Sequence, residues 1–424
     1  MPDQSQIERA IGRAFRGGRY SRRVFLRRAG KGVIVAGSAL SLPSILAACG
    51  IGPTSSPGAA PTAAGSPVGG GELAGTLNFA NWPLYIDQDD DGNSPTIQQF
   101  SEELGVEVEY SENIEDNTSF FGTIQPVLAA GDDTGYDIIV MTDWMIGNLI
   151  RLGFLEQMDV ERDVPNFVAN AADKYKDPSY DPDNRHSIPW QSGITGIGYN
   201  PELTGREITS MSDLFESEEF AGQIGMFTEM RDTMSFALLH MGIEPQNATV
   251  QDAEAARDLL QEQAPRVRGY YGNEYAQGLA DGSLALTMAW SGDVFQLQFD
   301  NPDLRFVVPD EGGILWVDNM AIPMGAQHPN DALAMMDYVY RPEVAAQITE
   351  WVNYICPVPA AQDIIRQHAA EAESDEDREY LEAVADSPLV FPTDDMLARL
   401  HSYKVLDEDE ERAWNELFGE VVQG

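Results

Sequence analysis

Five residues, YDIIV at 136–140, restrict the fold more than any other stretch of this chain. A continuous β-branched apolar run has no polar face. As a strand it must be covered on both sides, and such strands belong to parallel sheets flanked by helices. The neighbouring segments agree. TLNFA at 76–80 reads as a short strand, PTIQQFSEELG at 95–105 as a helix with a proline start and a glycine stop, and VEVEY at 106–110 as a strand by its strict alternation. A helical stretch around 122–130 leads into YDIIV, and MIGNLIRLG at 145–153 is helical again. This β-α-β-α-β order predicts an open, mostly parallel sheet with helices on both faces.

A second set follows SIPWQSGITGIGYN at 187–200. QIGMF (223–227), ALTMAW (285–290) and LRFVVP (304–309) read as strands, with helices near 232–241, 251–263 and 274–281. Residues 329–352 give two helices broken before Pro342. A chain of 424 residues is long enough for two α/β units with proper cores. We expect 74–195 to form a first lobe, 196–314 a second, 315–365 to return to the first, and 366–424 to pack as a helical segment on the second lobe or hinge. Ligands of such folds bind in the cleft between the lobes.

The N-terminal region has a different character. Of the 26 Lys and Arg and 69 Asp and Glu, nine and two respectively fall in residues 1–48, which leaves 17 and 67 beyond. SRRVFLRRAG at 21–30 precedes a modest apolar run that ends at Cys49, the layout of an export signal and too short for a membrane span. Arg22-Arg23 resembles the twin-arginine signal of proteins exported already folded. LAAC at 46–49 resembles a lipobox, which makes 1–48 a signal peptide and Cys49 the lipid attachment point on the outer face of the cytoplasmic membrane, in the periplasm or at the cell surface. Residues 49–73 then read as a Gly, Ala, Pro, Ser and Thr tether. With Cys49 lipidated, Cys356 has no disulfide partner and reads as a buried small hydrophobe. The acidic remainder repels nucleic acid and anionic lipid heads and draws cations; adaptation to a salty milieu, where excess carboxylates keep a protein hydrated, is the plainer account of that surface as a whole.

Several strand ends pair an aromatic with an acid. In GGILWVDNMAIP (312–323), Trp316 and Asp318 are two apart and share a face if 315–319 is a strand. A core would reject the acid and a solvent face the indole. NWPLYID (81–87), TDWM (142–145), TEMRD (228–232) and AWSGD (289–293) repeat the theme after other strands. A ligand that needs both is a cation with an apolar stem: an ammonium over an indole gains roughly 0.5–2 kcal/mol, and a charge-assisted contact with a carboxylate about 1.5–3 kcal/mol.

Taken together, NWPLY, YDIIVMTDW, SIPWQSGITGIGYN, EGGILWVDNMAIP and YRPEVAAQITEWVNY resemble the spermidine/putrescine-binding family of extracytoplasmic solute-binding proteins of ABC importers, from about residue 76 to the C-terminus. The resemblance implies a type II periplasmic-binding-protein-like α/β fold, with two lobes, each a mostly parallel sheet flanked by helices, and a ligand cleft between them. It implies a monomeric receptor that delivers a polyamine to a membrane permease, without catalytic residues, cofactor or metal. Carried over, the ligand residues are Trp82 and Tyr85, Thr142 and Trp144, Glu229 and Asp232, Trp290, Trp316 and Asp318, and Tyr354. Pro83 and Leu84 stand where spermidine binders carry polar or acidic residues, and Asp143 is a substitute acid. Packing roles compete at each position: Asp143 as a helix cap, Glu229 and Asp232 as complements to a helix dipole, the aromatics as core. Asp137 reads as structural. Paired carboxylates also admit a hydrolase, but the five histidines are scattered, and neither a zinc motif nor a phosphate loop nor a nucleophile elbow is present. Another solute, such as a quaternary amine, a cationic amino acid or a sugar, remains open on the same fold.

Overall fold

The computed structural model describes residues 68–89 and 91–422. Arg22, Arg23, Cys49 and the tether before residue 68 lie outside the described residues. The strands form one ten-stranded sheet in the order β2-β1-β3-β9-β4-β7-β5-β6, with β8 paired to β4 and β10 to β9. They span Thr76–Ala80 (β1), Glu107–Ser111 (β2), Ile138–Thr142 (β3), Ser187–Tyr199 (β4), Ile224–Phe227 (β5), Val267–Tyr271 (β6), Leu286–Trp290 (β7), Arg305–Val307 (β8), Gly313–Ala321 (β9) and Leu400–His401 (β10).

The sheet is mixed, which corrects the expectation of mostly parallel pairing. Parallel pairs occupy its two wings, β2-β1-β3 and β7-β5-β6. Between the wings run β9 and β4, antiparallel to each other and to their outer neighbours β3 and β7. All five residues of β3 and all thirteen of β4 are buried, as two-sided cover requires. Residues 68–75 already grip the body. The Val68 N–H donates to the Gln157 carbonyl at 2.7 Å, and the backbone N–H groups of Ala74 and Gly75 donate to Asp331 at 2.8 Å each. The body therefore begins about six residues before the expected end of the tether at 73.

Helices of seven residues or more are α1 (Pro95–Leu104), α2 (Asn117–Ala130), α3 (Asp143–Leu152), α4 (Met230–His240), α5 (Val250–Gln263), α6 (Tyr275–Asp281), α7 (Ser291–Asp300), α8 (Pro329–Tyr338), α9 (Pro342–Val352), α10 (Ala361–Glu371), α11 (Asp375–Asp386) and α12 (Glu408–Val422). Their limits follow local chemistry. Ser94 caps α1, which starts with Pro95 and stops at left-handed Gly105, and Asp116 caps α2 through the Ser119 N–H. Other helices start without a side-chain cap bond, among them α3, α4 and α7, which follow β3, β5 and β7 and have Thr142, Glu229 and Trp290 as N-cap residues. Asp137 is structural, accepting from the backbone N–H groups of Asn78 and His328.

Candidate functional site

Strand register builds the site. Asp318 stands opposite Thr142, Trp316 opposite Gly193, and Thr195 opposite Trp290. Partners in register share a face, as do alternate residues of one strand. Trp290, Thr195, Trp316, Asp318 and Thr142 therefore form one row across the middle of the sheet. Thr195 was absent from the expected set, because a threonine within a buried strand carries no signal of its own.

Asp318 is 6% exposed. The Thr142 hydroxyl donates to its Oδ1 at 2.7 Å and the Tyr85 hydroxyl to its Oδ2 at 2.8 Å. Asn117 Nδ2 in turn donates to the Thr142 hydroxyl at 2.8 Å. Burial pushes the Asp318 carboxyl up to about 6; the two hydroxyl donors hold it down and the charge of Asp232 adds to the rise. Asp232, buried in the first turn of α4, is built alike: Thr195 Oγ1 donates to its Oδ1 at 2.5 Å and the Tyr403 hydroxyl at 2.7 Å. Burial lifts it to about 6 against the pull of those donors. Tyr403, like Thr195, was absent from the expected set.

Half-buried Glu229 is raised well above the carboxylate range, by burial first and then by the carboxylate of Asp116 from the start of α2. Asp143 turns its Oδ1 to the Trp144 N–H at 2.6 Å, the local bonding of a helix start. Burial raises it to about 8, with Asp318 adding to the rise and Arg231 opposing it. The Arg231 guanidinium lies 4.6 Å from the centroid of the Trp144 ring. Arg231 also donates to the Lys404 carbonyl at 2.9 Å and pairs with Glu411.

The aromatics form two groups. Tyr354 meets Tyr85 edge-on at 5.7 Å and Trp316 at 5.4 Å. Trp290 lies against Phe227 at 4.6 Å and Tyr275 at 5.7 Å. Trp316 crosses the backbone of Gly193 so closely that a Cβ there would sit 2.2 Å from its ring. Its buried indole N–H finds no acceptor among the described residues, a state costly enough to require explanation. Half-buried Trp82 donates Nε1–H to the Val140 carbonyl at 3.0 Å, which pins it beside β3 two residues from Thr142.

Among the described residues, no group of three His, Cys, Asp or Glu is placed to hold a metal ion, and no helix is long and apolar enough to cross a membrane. Cys356 is buried, and burial raises its thiol to about 11. The arrangement offers buried carboxylates held by hydroxyls and flanked by indole and phenol rings, which is chemistry for holding a cation with an apolar stem.

Comparison with known proteins agrees. The family profile described as bacterial extracellular solute-binding protein matches residues 96–379. The chain is 28% identical over 296 residues to the spermidine/putrescine-binding periplasmic protein of Escherichia coli K12, covering 70% of this chain and 81% of that one. It is 26% identical over 366 residues to a putrescine/agmatine-binding protein of Pseudomonas aeruginosa, covering 82% and 92%. The solved structure of a putative spermidine/putrescine ABC transporter from Listeria monocytogenes superimposes with a TM-score of 0.69 at 28% identity, covering 82% of this chain and 99% of that one. The chain belongs to the bacterial extracellular solute-binding proteins, a family of receptors rather than enzymes.

Proposed function

We propose that this protein captures a linear polyamine of the putrescine and spermidine class in a cleft between two lobes and hands it to the membrane permease of an ABC importer. The observation that carries the reading is Asp318. A buried carboxylate held by Tyr85 and Thr142, on one sheet face with Trp316, fits an ammonium whose methylene chain lies along the rings. The ligand residues of this reading are Trp82, Tyr85, Thr142, Asp143, Trp144, Glu229, Asp232, Trp290, Trp316, Asp318 and Tyr354, with Thr195 and Tyr403 holding Asp232. The wings of the sheet are the two lobes, and the long strands β4 and β9 cross between them. Cys49 tethers the receptor after twin-arginine export.

Leu84 offers no carboxylate where one ammonium would end. Its backbone is left-handed, at φ 57°, and its N–H donates at 3.0 Å to Oε1 of Glu112 from the end of β2. An acid thus stands beside the loop although the loop carries none. Isothermal calorimetry on the purified protein tests the reading. Putrescine or spermidine is expected to bind at micromolar Kd or tighter, with glucose and betaine silent. Heat with a sugar and none with diamines overturns it.

A further inference from the structure

Helix α3 takes part in two contacts that cross from one wing of the sheet to the other. It follows β3, in the β2-β1-β3 wing, and its residues Trp144 and Gly147 are three apart and so share a face. Trp144 is met by the Arg231 guanidinium, 4.6 Å from the ring centroid. Arg231 lies in the first turn of α4, which follows β5 of the opposite wing. Gly147 is met by Val405: a Cβ built on the glycine would lie 3.5 Å from Val405 Cγ1. Val405 stands between β10 and α12, in a segment bound to that opposite wing. Next to it Lys404 Nζ donates to the Ala248 carbonyl, and α12 packs on α4 and α5.

We propose that residues 402–411 form a strap that holds the cleft shut, with Arg231 on Trp144 and Val405 on Gly147 as its two catches. The proposal rests on the two-lobe layout above but not on the identity of the ligand. Both catches are face contacts rather than hydrogen bonds. Arg231 donates to the Lys404 carbonyl and pairs with Glu411, so these polar partners stay on its own side and a flat face is turned across. Val405 is 48% exposed, as a core valine is not, and it rests on a helix face bare of side chain. Such contacts break and re-form without leaving a buried donor or acceptor unpaired, which a part that opens and closes requires. Tyr403 belongs to the same strap and donates to Asp232 at 2.7 Å. One short stretch of chain therefore holds both an acid of the candidate site and the catch two residues further on.

Putrescine calorimetry and small-angle X-ray scattering on the wild-type protein, Arg231→Met and Val405→Asp test the proposal. Removing a cation or adding an acid beside the cleft would, by charge alone, tighten the binding of an ammonium ligand. The strap predicts the reverse. Each variant should bind putrescine roughly tenfold more weakly, because apparent affinity falls with the fraction of molecules able to close. At a putrescine concentration that closes the wild type, each should keep a larger radius of gyration. Affinity equal to or tighter than that of the wild type overturns the strap. Arg231→Met leaves Glu411 without this partner; should that variant not fold, Val405→Asp decides, since its half-exposed side chain is not part of the core. A wild-type protein silent to every diamine strikes the polyamine reading alone. The strap is then decided by scattering without ligand, in which the variants should be more extended than the wild type, and superimposable curves refute it.

Discussion

At the scale of single residues, Asp318 shows how the site separates hydrogen bonding from charge. Its two donors are neutral hydroxyls, and among the described residues no Lys, Arg or His forms an ion pair with it. Hydroxyls satisfy the lone pairs without cancelling the charge, so a buried carboxylate stays short of a countercharge, which under the proposed function a ligand ammonium supplies. Asp318→Asn keeps the shape and removes the charge. Putrescine affinity measured by calorimetry should fall at least tenfold, as a lost charged partner requires; an unaltered Kd removes Asp318 from the site. Its shared face with Trp316 was legible in the sequence, from a spacing of two on a predicted strand that lies within β9. Tyr403 and Thr195 were not, since their meeting at Asp232 depends on contacts between segments distant in the chain. Trp144 was legible as an aromatic near the site but not as a ring already covered by Arg231, a neighbour from another helix.

The elements explain which parts of the fold could be read locally. YDIIV announced β3 by composition, and 315–319 fell inside β9. The antiparallel run of β4 and β9 was missed, because an apolar strand buried on both sides looks the same whichever way its neighbour runs. That pairing matters most for the site, since it sets Gly193 opposite Trp316. Glycine is required there by contact rather than by backbone angle. A Cβ at 193 would lie 2.2 Å from Cζ2, 2.6 Å from Cη2 and 2.8 Å from Cε2 of the indole, so Gly193→Ala forces the whole ring aside. Overpacking of this kind costs typically 1–3 kcal/mol of stability. The expected outcome is a folded protein with a lowered thermal midpoint and putrescine binding weakened more than tenfold. Wild-type affinity in this variant would show that the ring's position is immaterial to the ligand.

The whole molecule concentrates negative charge at two depths, and pH with salt separates them. Its surface contributes most of a formal net charge of −43, while Asp318 and Asp232 titrate near 6 and Asp143 near 8 in the folded state, each raised chiefly by burial. In the unfolded chain these groups return to the ordinary carboxylate value of about 4. Between about 4 and their folded values the native state binds more protons than the unfolded state, so stability falls as pH rises. The contribution is complete below about pH 4, is lost by about 6 for Asp318 and Asp232, and by about 8 for Asp143. Surface repulsion also eases in acid, but at about 1 M salt the screening length is near 3 Å and that term is largely suppressed. A buried group is screened far less. Thermal unfolding in about 1 M NaCl should therefore give a higher midpoint at pH 5 than at pH 8 without ligand. Saturating putrescine should reverse the trend in its own effect. At pH 8 it meets ionised carboxylates and stabilises by mass action, whereas at pH 5 it competes with protons and its shift shrinks. A midpoint that is flat or rises from pH 5 to pH 8 in high salt, with an equal putrescine shift at both, would mean that the buried acids are not the groups that receive the cation.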